Sequence, residues 1–255
     1  MSISIAITGH NEAYHLKELL PTLSWADEIV YVDAGSSDNS IEIAKKYTNK
    51  TFQRENNSNL NINRSFAIDN CTSEWIFYLD PDERIPKVLK DALLSISNTN
   101  PKFVAYSLPR KNYYFNKWLK YGSQYPDVQL RFFKKGYAKF PNKHVHEKLT
   151  VEGSIGHINI AFEHHPYLNI SQYLKKFDFY TSFEANFMFQ NGVKICFKNS
   201  FKYLFYIPLI RFLRRFFLKL GFLDGYYGFF AALFDSLNFM VRYFKLIEIY
   251  QNNEK

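Results

Sequence analysis

Two aspartates one residue apart, Asp80 and Asp82, stand at the end of an apolar run, Trp75-Ile76-Phe77-Tyr78-Leu79. Carboxylates at that spacing can share a hard divalent cation, Mg²⁺ or Mn²⁺. Pro81 between them lacks an N–H and fixes its own φ, so it ends a strand's hydrogen-bond ladder there. In open α/β sheets the carboxyl ends of the strands are where ligands bind. The plain alternative is an acidic turn before a helix starting near Pro86, since Asp-Pro-Asp is ordinary turn chemistry.

Other residues could join that chemistry. Asp33-Ala34-Gly35-Ser36-Ser37-Asp38 is a turn and a helix start, with Ser37 or Asp38 as the cap. A carboxylate at Asp33 could also accept from a nucleobase N–H or a ribose hydroxyl, and Gly35 would admit a phosphate closely. Asn11 and Glu12 end a first strand in the same way. His144 and His146 alternate, so on an extended segment they share a face. They are either metal-side imidazoles or ordinary surface or core histidines. Asp127, after Pro126, is either a turn aspartate or a general base for a hydroxyl. Glu83, beside the acidic pair, is the reserve candidate. Arg131 either neutralises a diphosphate or pairs with Asp127.

The elements that must position these residues alternate. Ile3–Thr8, Glu28–Val32, Thr51–Gln53 and Trp75–Leu79 read as buried strands. Helices follow them: one with Leu16, Leu19, Leu20 and Leu23 on one face, one with Ile41, Ile43 and Ala44, and one near Asn63–Asn70. Strand–helix alternation predicts an α/β fold with a doubly wound, mostly parallel sheet. Glu12, Asp33 and Asp80 then crowd one sheet edge. From Lys102 the alternation stops. Strands are expected at Phe103–Leu108 and Val128–Phe133, with an aromatic, basic stretch between, and a helix over Leu168–Gln190. Ile207–Lys219 and Phe229–Tyr250 read as aromatic, amphipathic helices. The expected division is residues 1–190 as the catalytic domain and residues 191–255 as a helical extension.

Composition narrows the setting. Of 255 residues, 47% are apolar and 19% aromatic, with 26 Phe and 19 Tyr, enough for a sizeable core. The formal charge is +8. Ten Lys/Arg against four Asp/Glu lie beyond Gln190, so the tail carries +6 of it. A basic, aromatic tail fits an anionic membrane surface, and Arg211, Arg214, Arg215 and Lys219 recur at helical spacing as one stripe. No nucleic-acid motif is present, and nucleic acid is not an expected partner. Two cysteines, Cys71 and Cys196, suggest a reducing compartment. No leader is expected before the first strand, and no apolar run reaches membrane-spanning length. A cytoplasmic protein, peripheral on the inner face of the cell membrane, is the expectation.

These segments together resemble the family 2 glycosyltransferases. The matching groups are Thr8-Gly9-His10-Asn11-Glu12, Trp25-Ala26-Asp27-Glu28-Ile29, Val32–Asp38 and Leu79-Asp80-Pro81-Asp82-Glu83-Arg84. Tyr125-Pro126-Asp127-Val128-Gln129-Leu130-Arg131, Val145-His146-Glu147 and Gly221-Phe222-Leu223-Asp224-Gly225 look like the branch that adds sugars to lipopolysaccharide inner core. The resemblance implies a GT-A-type nucleotide-sugar fold. It implies a donor site from Asn11, Glu12, Asp33, Gly35, Arg64, Asp80 and Arg131, and a metal held by Asp80, Asp82 and His146. It implies Asp127 as the base and a lipid-linked glycan as acceptor. Departures are Pro81 in place of a small residue, Ser65 where an Asn is common, and Gly122-Ser123-Gln124 in the acceptor segment.

Two competing functions are weighed against it. A phosphatase or phosphotransferase that forms a phospho-aspartate also carries Asp-x-Asp after a strand, but usually has Thr or Val where Arg84 stands. A non-catalytic membrane-binding module would not require Asp80, Asp82 and Asp127 together.

Overall fold

The computed structural model describes residues 1–56, 59–99, 101–141 and 149–253. The chain gathers into two compact units, residues 1–110 with 128–164 and residues 111–127 with 165–255. Twelve strands are present among the described residues. They are β1 (Ile3–Gly9), β2 (Glu28–Asp33), β3 (Thr51–Gln53), β4 (Trp75–Leu79), β5 (Glu83–Arg84) and β6 (Ala105–Tyr114). The others are β7 (Lys117–Trp118), β8 (Asp127–Lys134), β9 (Ala138–Lys139), β10 (Thr150–Val151), β11 (Ile155–His157) and β12 (Phe162–Tyr167). The helices of the first unit are α1 (Ala13–Leu19), α2 (Ser40–Ala44), α3 (Leu60–Asp69) and α4 (Lys87–Asn98).

The first unit is built on the parallel strands β3-β2-β1-β4, beyond which β8 runs antiparallel to β4. Its central strands bury both faces. Ile3, Ile5 and Ile7 of β1 and Trp75, Phe77 and Leu79 of β4 share one core with Leu16, Leu19, Leu89 and Leu93 of the helices. The intervening Ala6, Ile76 and Tyr78 share the other with Ala67 and Ile68. A strand alternates its side chains, so a sheet covered twice must be apolar at successive positions. That is why these strands read as continuous apolar runs. The expected mostly parallel sheet is present. One helix is shorter than its leucines suggested. Pro21 cannot donate to the ladder, so α1 stops at Leu19 and a 3₁₀ turn over Leu20–Leu23 carries the remaining two inward.

At the amino edge of this sheet Glu28 ties three segments together. Its carboxylate accepts from Ser4 Oγ and Lys50 Nζ, and from the Thr72 N–H at 2.7 Å and Oγ1 at 2.8 Å. A cavity of about 610 Å³ opens beside it. Burial works to raise the Glu28 carboxyl, but Lys50, Ser4 and Thr72 outweigh it and bring it down to about 2.

The second unit holds α5 (Ile170–Gln190), α6 (Phe197–Phe201), α7 (Ile207–Leu213) and α8 (Gly225–Asn253). The expected aromatic stretch after Arg110 is largely strand. Tyr113 and Tyr114 pair with Trp118 and Lys117. Phe115 and Asn116, both at positive φ, form the two-residue turn between them. α8 packs along α5 and α7. The expected basic stripe is split. Arg211 turns to Asp235 of α8 with bonds of 2.7 and 2.9 Å, and Arg215 lies 3.4 Å from the same carboxylate. Arg214 and Lys219 stay exposed. Two π-helical turns, Lys202–Tyr206 and Arg214–Leu218, interrupt this region. Among the described residues no single helix is long and apolar enough to cross a membrane. The segments Phe197–Leu218 and Gly221–Asn253, bent by 70°, meet that test only as a pair.

Two predictions follow from packing and charge. A Cβ on Gly228 would lie 1.8 Å from the Gly221 carbonyl oxygen, where only backbone can yield. Gly228→Ala should therefore cost about 1–3 kcal/mol or more, read as a lowered melting temperature. An unchanged melting temperature would contradict this close approach. The Glu28 carboxyl is depressed in the folded state, so its stabilisation is complete above its ordinary value of 4.5 and is lost as pH falls towards 2. The melting-temperature gap between wild type and Glu28→Gln should narrow between about pH 6 and about pH 2.5. A gap independent of pH would remove the role given to this carboxylate.

Candidate functional site

Register decides which residues meet. β1 lies between β2 and β4, with Gly9 beside Asp33 and Ile7 beside Leu79. The residues leaving these three strands, Asn11 and Glu12, Asp33 to Gly35, and Asp80 to Asp82, therefore emerge at one edge. The three acidic strand ends do come together as the alternation implied.

Asp33 is fully buried, and both its oxygens have partners. Oδ1 accepts from Tyr31 Oη at 3.2 Å and Oδ2 from the Ser36 N–H at 2.9 Å. The second bond needs the chain to turn back sharply, and Gly35 at φ 69° allows it. The first loop is stitched to this one. Asn11 N–H donates to Ser36 Oγ, and Asn11 Oδ1 accepts from the Ser37 N–H, both at 2.8 Å. Asp38 accepts from the Ala13 and Ser40 amides, each at 3.0 Å, so one carboxylate fixes the starts of α1 and α2. Glu12 contributes backbone, its N–H donating to Ser40 Oγ at 2.9 Å.

Around the end of β4 the charges form one cluster. Asp80 Oδ1 accepts from Tyr78 Oη and lies 3.3 Å from Arg64. Asp80 Oδ2 accepts from Arg131 at 2.9 Å. Burial by itself would raise the Asp80 carboxyl, but Arg64 and Arg131 outweigh it and hold the group well below the usual carboxylate range. Arg131 also meets Glu83, at 2.7 Å. Glu83 also binds Arg110 at 3.1 Å and accepts from the Asp80 N–H at 2.9 Å. Burial and the charge of Asp80 push its carboxyl up. A fully buried side chain held by two guanidiniums cannot reach an acceptor hydroxyl, so Glu83 is not the reserve base expected of it.

Asp82 is nearly buried, and its carboxylate lies 3.6 Å from His164 Nε2. Among the described residues no three His, Cys, Asp or Glu side chains group closely enough to hold a metal alone. Two donors still fit Mg²⁺ or Mn²⁺ in a nucleotide site, where one or two protein ligands are joined by phosphate oxygens and water. His146, expected on this side, lies outside the described residues, as does His144. His164 carries no sequence signal of its own as a site residue. It sits opposite Glu83 in the β5–β12 pairing, and only that register brings it to Asp82.

Asp127 belongs to the second unit and opens β8. Asn112, itself buried, donates through Nδ2 to the Asp127 carboxylate at 3.2 Å and to the Gln124 carbonyl at 3.1 Å. The carboxylate is thereby oriented while remaining half-buried.

Residues 4–151 match the family described as glycosyl transferase family 2. The lipopolysaccharide core biosynthesis glycosyltransferase LpsC of Rhizobium meliloti (strain 1021) is 26% identical over 243 residues, covering 91% of this chain and 87% of its own. Two solved structures share the fold. The mannosyltransferase PcManGT of Pyrobaculum calidifontis, in complex with GDP-Man and Mn²⁺, has a TM-score of 0.55 at 10% identity, covering 96% of this chain and 86% of that one. S. aureus TarS 1-349, in complex with UDP-GlcNAc, has a TM-score of 0.50 at 16% identity, covering 99% and 92%. The α/β architecture with its curled, mostly parallel sheet is thus the GT-A fold, and the chain belongs to glycosyl transferase family 2.

Proposed function

We propose that the protein transfers a hexose from a nucleotide sugar, UDP-linked, to a hydroxyl of a lipid-linked glycan such as lipopolysaccharide core, with inversion at the anomeric carbon. The observation that carries this most is the meeting of Asp33, Asp80 and Asp82 at one sheet edge beside Arg64 and Arg131. The similarity to LpsC along nearly the whole chain supports the acceptor class. Asp33, whose carboxylate is buried against Tyr31 and the Ser36 amide, would set the loop that receives the base or ribose, with Asn11, Glu12 and Gly35 shaping it. Arg64 and Arg131, kept in place by Asp80, would face the diphosphate. A divalent ion held by Asp82 with His164, and with Asp80 and His146 as further candidate ligands, would supply a Lewis acid for the leaving group. Asp127 would take the proton of the acceptor hydroxyl as it attacks from the face opposite the diphosphate, and one displacement inverts the centre. The work would be done at the inner face of the cell membrane, on an anionic surface.

Asp82→Asn keeps the volume and removes the charge. It should abolish metal-dependent turnover of a UDP-sugar, measured as UDP release with and without Mn²⁺. Wild-type turnover with an unchanged metal response would sink the assignment. Asp127→Asn should lower kcat by about 10²–10⁴-fold with donor affinity nearly unchanged, as seen by titration with UDP. An equal loss of donor affinity would make Asp127 a donor-site residue instead.

A further inference from the structure

The helical hairpin of the second unit carries a row of exposed aromatic and aliphatic side chains. Phe197, Phe201, Phe205, Leu209, Leu213 and Phe217 recur every four residues, and all are exposed. On a regular helix each four-residue step drifts by about 40°, so five steps would carry the row to the opposite side. The π turns at Lys202–Tyr206 and Arg214–Leu218 take one residue more per turn and cancel part of that drift. The row therefore stays on the solvent side and ends at Leu218, 78% exposed. Between Asn191 and Phe234 the chain has seven Lys/Arg and a single acid, the buried Asp224. An apolar ridge in so basic a setting matches an anionic bilayer better than a second copy of an equally basic chain.

Beside the ridge is a pocket of about 230 Å³ lined by Ser123, Ile210, Arg211, Arg214 and Arg215. That volume suits a headgroup rather than a nucleotide. The loop bearing Ser123 is fastened to the hairpin. Gly122 N–H donates to the Lys219 carbonyl, and Tyr121 N–H to Asp224 Oδ2, both at 2.8 Å. Three arginines line it, and Asp235 is the carboxylate paired with two of them. Asp235 is already bidentate on Arg211. Arg215 keeps only a 3.4 Å contact, and Arg214 is exposed with no ion pair among the described residues.

We infer that this pocket binds the phosphodiester of an anionic phospholipid while the ridge lies in the acyl boundary, Arg214 and Arg215 supplying the forked donors. The proposal deepens the membrane part of the function above and rests on it. It does not depend on sugar transfer.

Flotation with phosphatidylglycerol-containing and pure phosphatidylcholine vesicles tests it, with melting temperatures recorded beside. Wild type should float with the anionic vesicles. Arg214→Gln should weaken binding about fivefold, the effect of one interfacial cation. Arg214→Lys should weaken it similarly, because an ammonium keeps the charge but loses the planar fork. Leu218→Ser should reduce binding to both vesicle types. Arg214 and Leu218 are exposed, so all three variants should melt as wild type does. If wild type ignores phosphatidylglycerol vesicles, the membrane location itself falls. If wild type floats and Arg214→Lys floats equally well, attraction is diffuse and the headgroup pocket is overturned. Full binding by Leu218→Ser, or a wild-type dimer that this substitution makes monomeric in light scattering, would assign the ridge elsewhere.

Discussion

Arg131 is the constraint on which the first unit's site depends. Its guanidinium is buried between Asp80 and Glu83, and the two carboxylates offset the cost of burying its permanent charge. Removing one partner of a buried pair typically costs about 3–5 kcal/mol, because the remaining charge is left uncompensated. The arrangement therefore fixes the end of β4, the short β5 and the middle of β8 relative to one another. Asp80 also reaches Arg64 on α3, so the helix on the far face of the sheet is tied to the same point. What is positioned by this cluster is a pair of cations at a strand end, with Asp82 and His164 beside them.

The fold's first half was legible because its signals are local. Runs such as Trp75–Leu79 are apolar at every position, which a twice-covered strand requires, and Pro81 marks the exit. Asp33 and Asp80 could be grouped because parallel neighbours put their carboxyl ends on one edge. Other features are set by pairings across long separations. Arg131 meets Glu83 and Asp80, 48 and 51 positions away. No spacing rule links such residues, so Arg131 could not be assigned between its two options and Glu83 looked available as a base. His164 is similar: among Glu163, His164 and His165, only the register with β5 selects the one that faces Asp82. The tail shows the same limit. Helical periodicity grouped Arg211 with Arg214 and Arg215, but not the turn of Arg211 and Arg215 towards Asp235, nor the π turns that keep the apolar row in line.

A division of labour between the two aspartates after β4 emerges from these contacts. Asp80 spends both oxygens on Tyr78, Arg64 and Arg131. Asp82 faces an imidazole, a partner that a metal can share. Two acids of one motif would then act differently, Asp80 through the arginines and Asp82 through the ion. The separation is physical rather than formal. A carboxylate already engaged by two guanidiniums gains little from a third cation, whereas one beside an imidazole can share a metal with it.

Electron paramagnetic resonance of Mn²⁺ in the presence of UDP tests that division directly, using Asp80→Asn and Asp82→Asn side by side. Protein-bound Mn²⁺ should be retained in Asp80→Asn, with a lowered melting temperature, and lost in Asp82→Asn at nearly unchanged stability. Loss of bound Mn²⁺ in Asp80→Asn, with retention in Asp82→Asn, would contradict it.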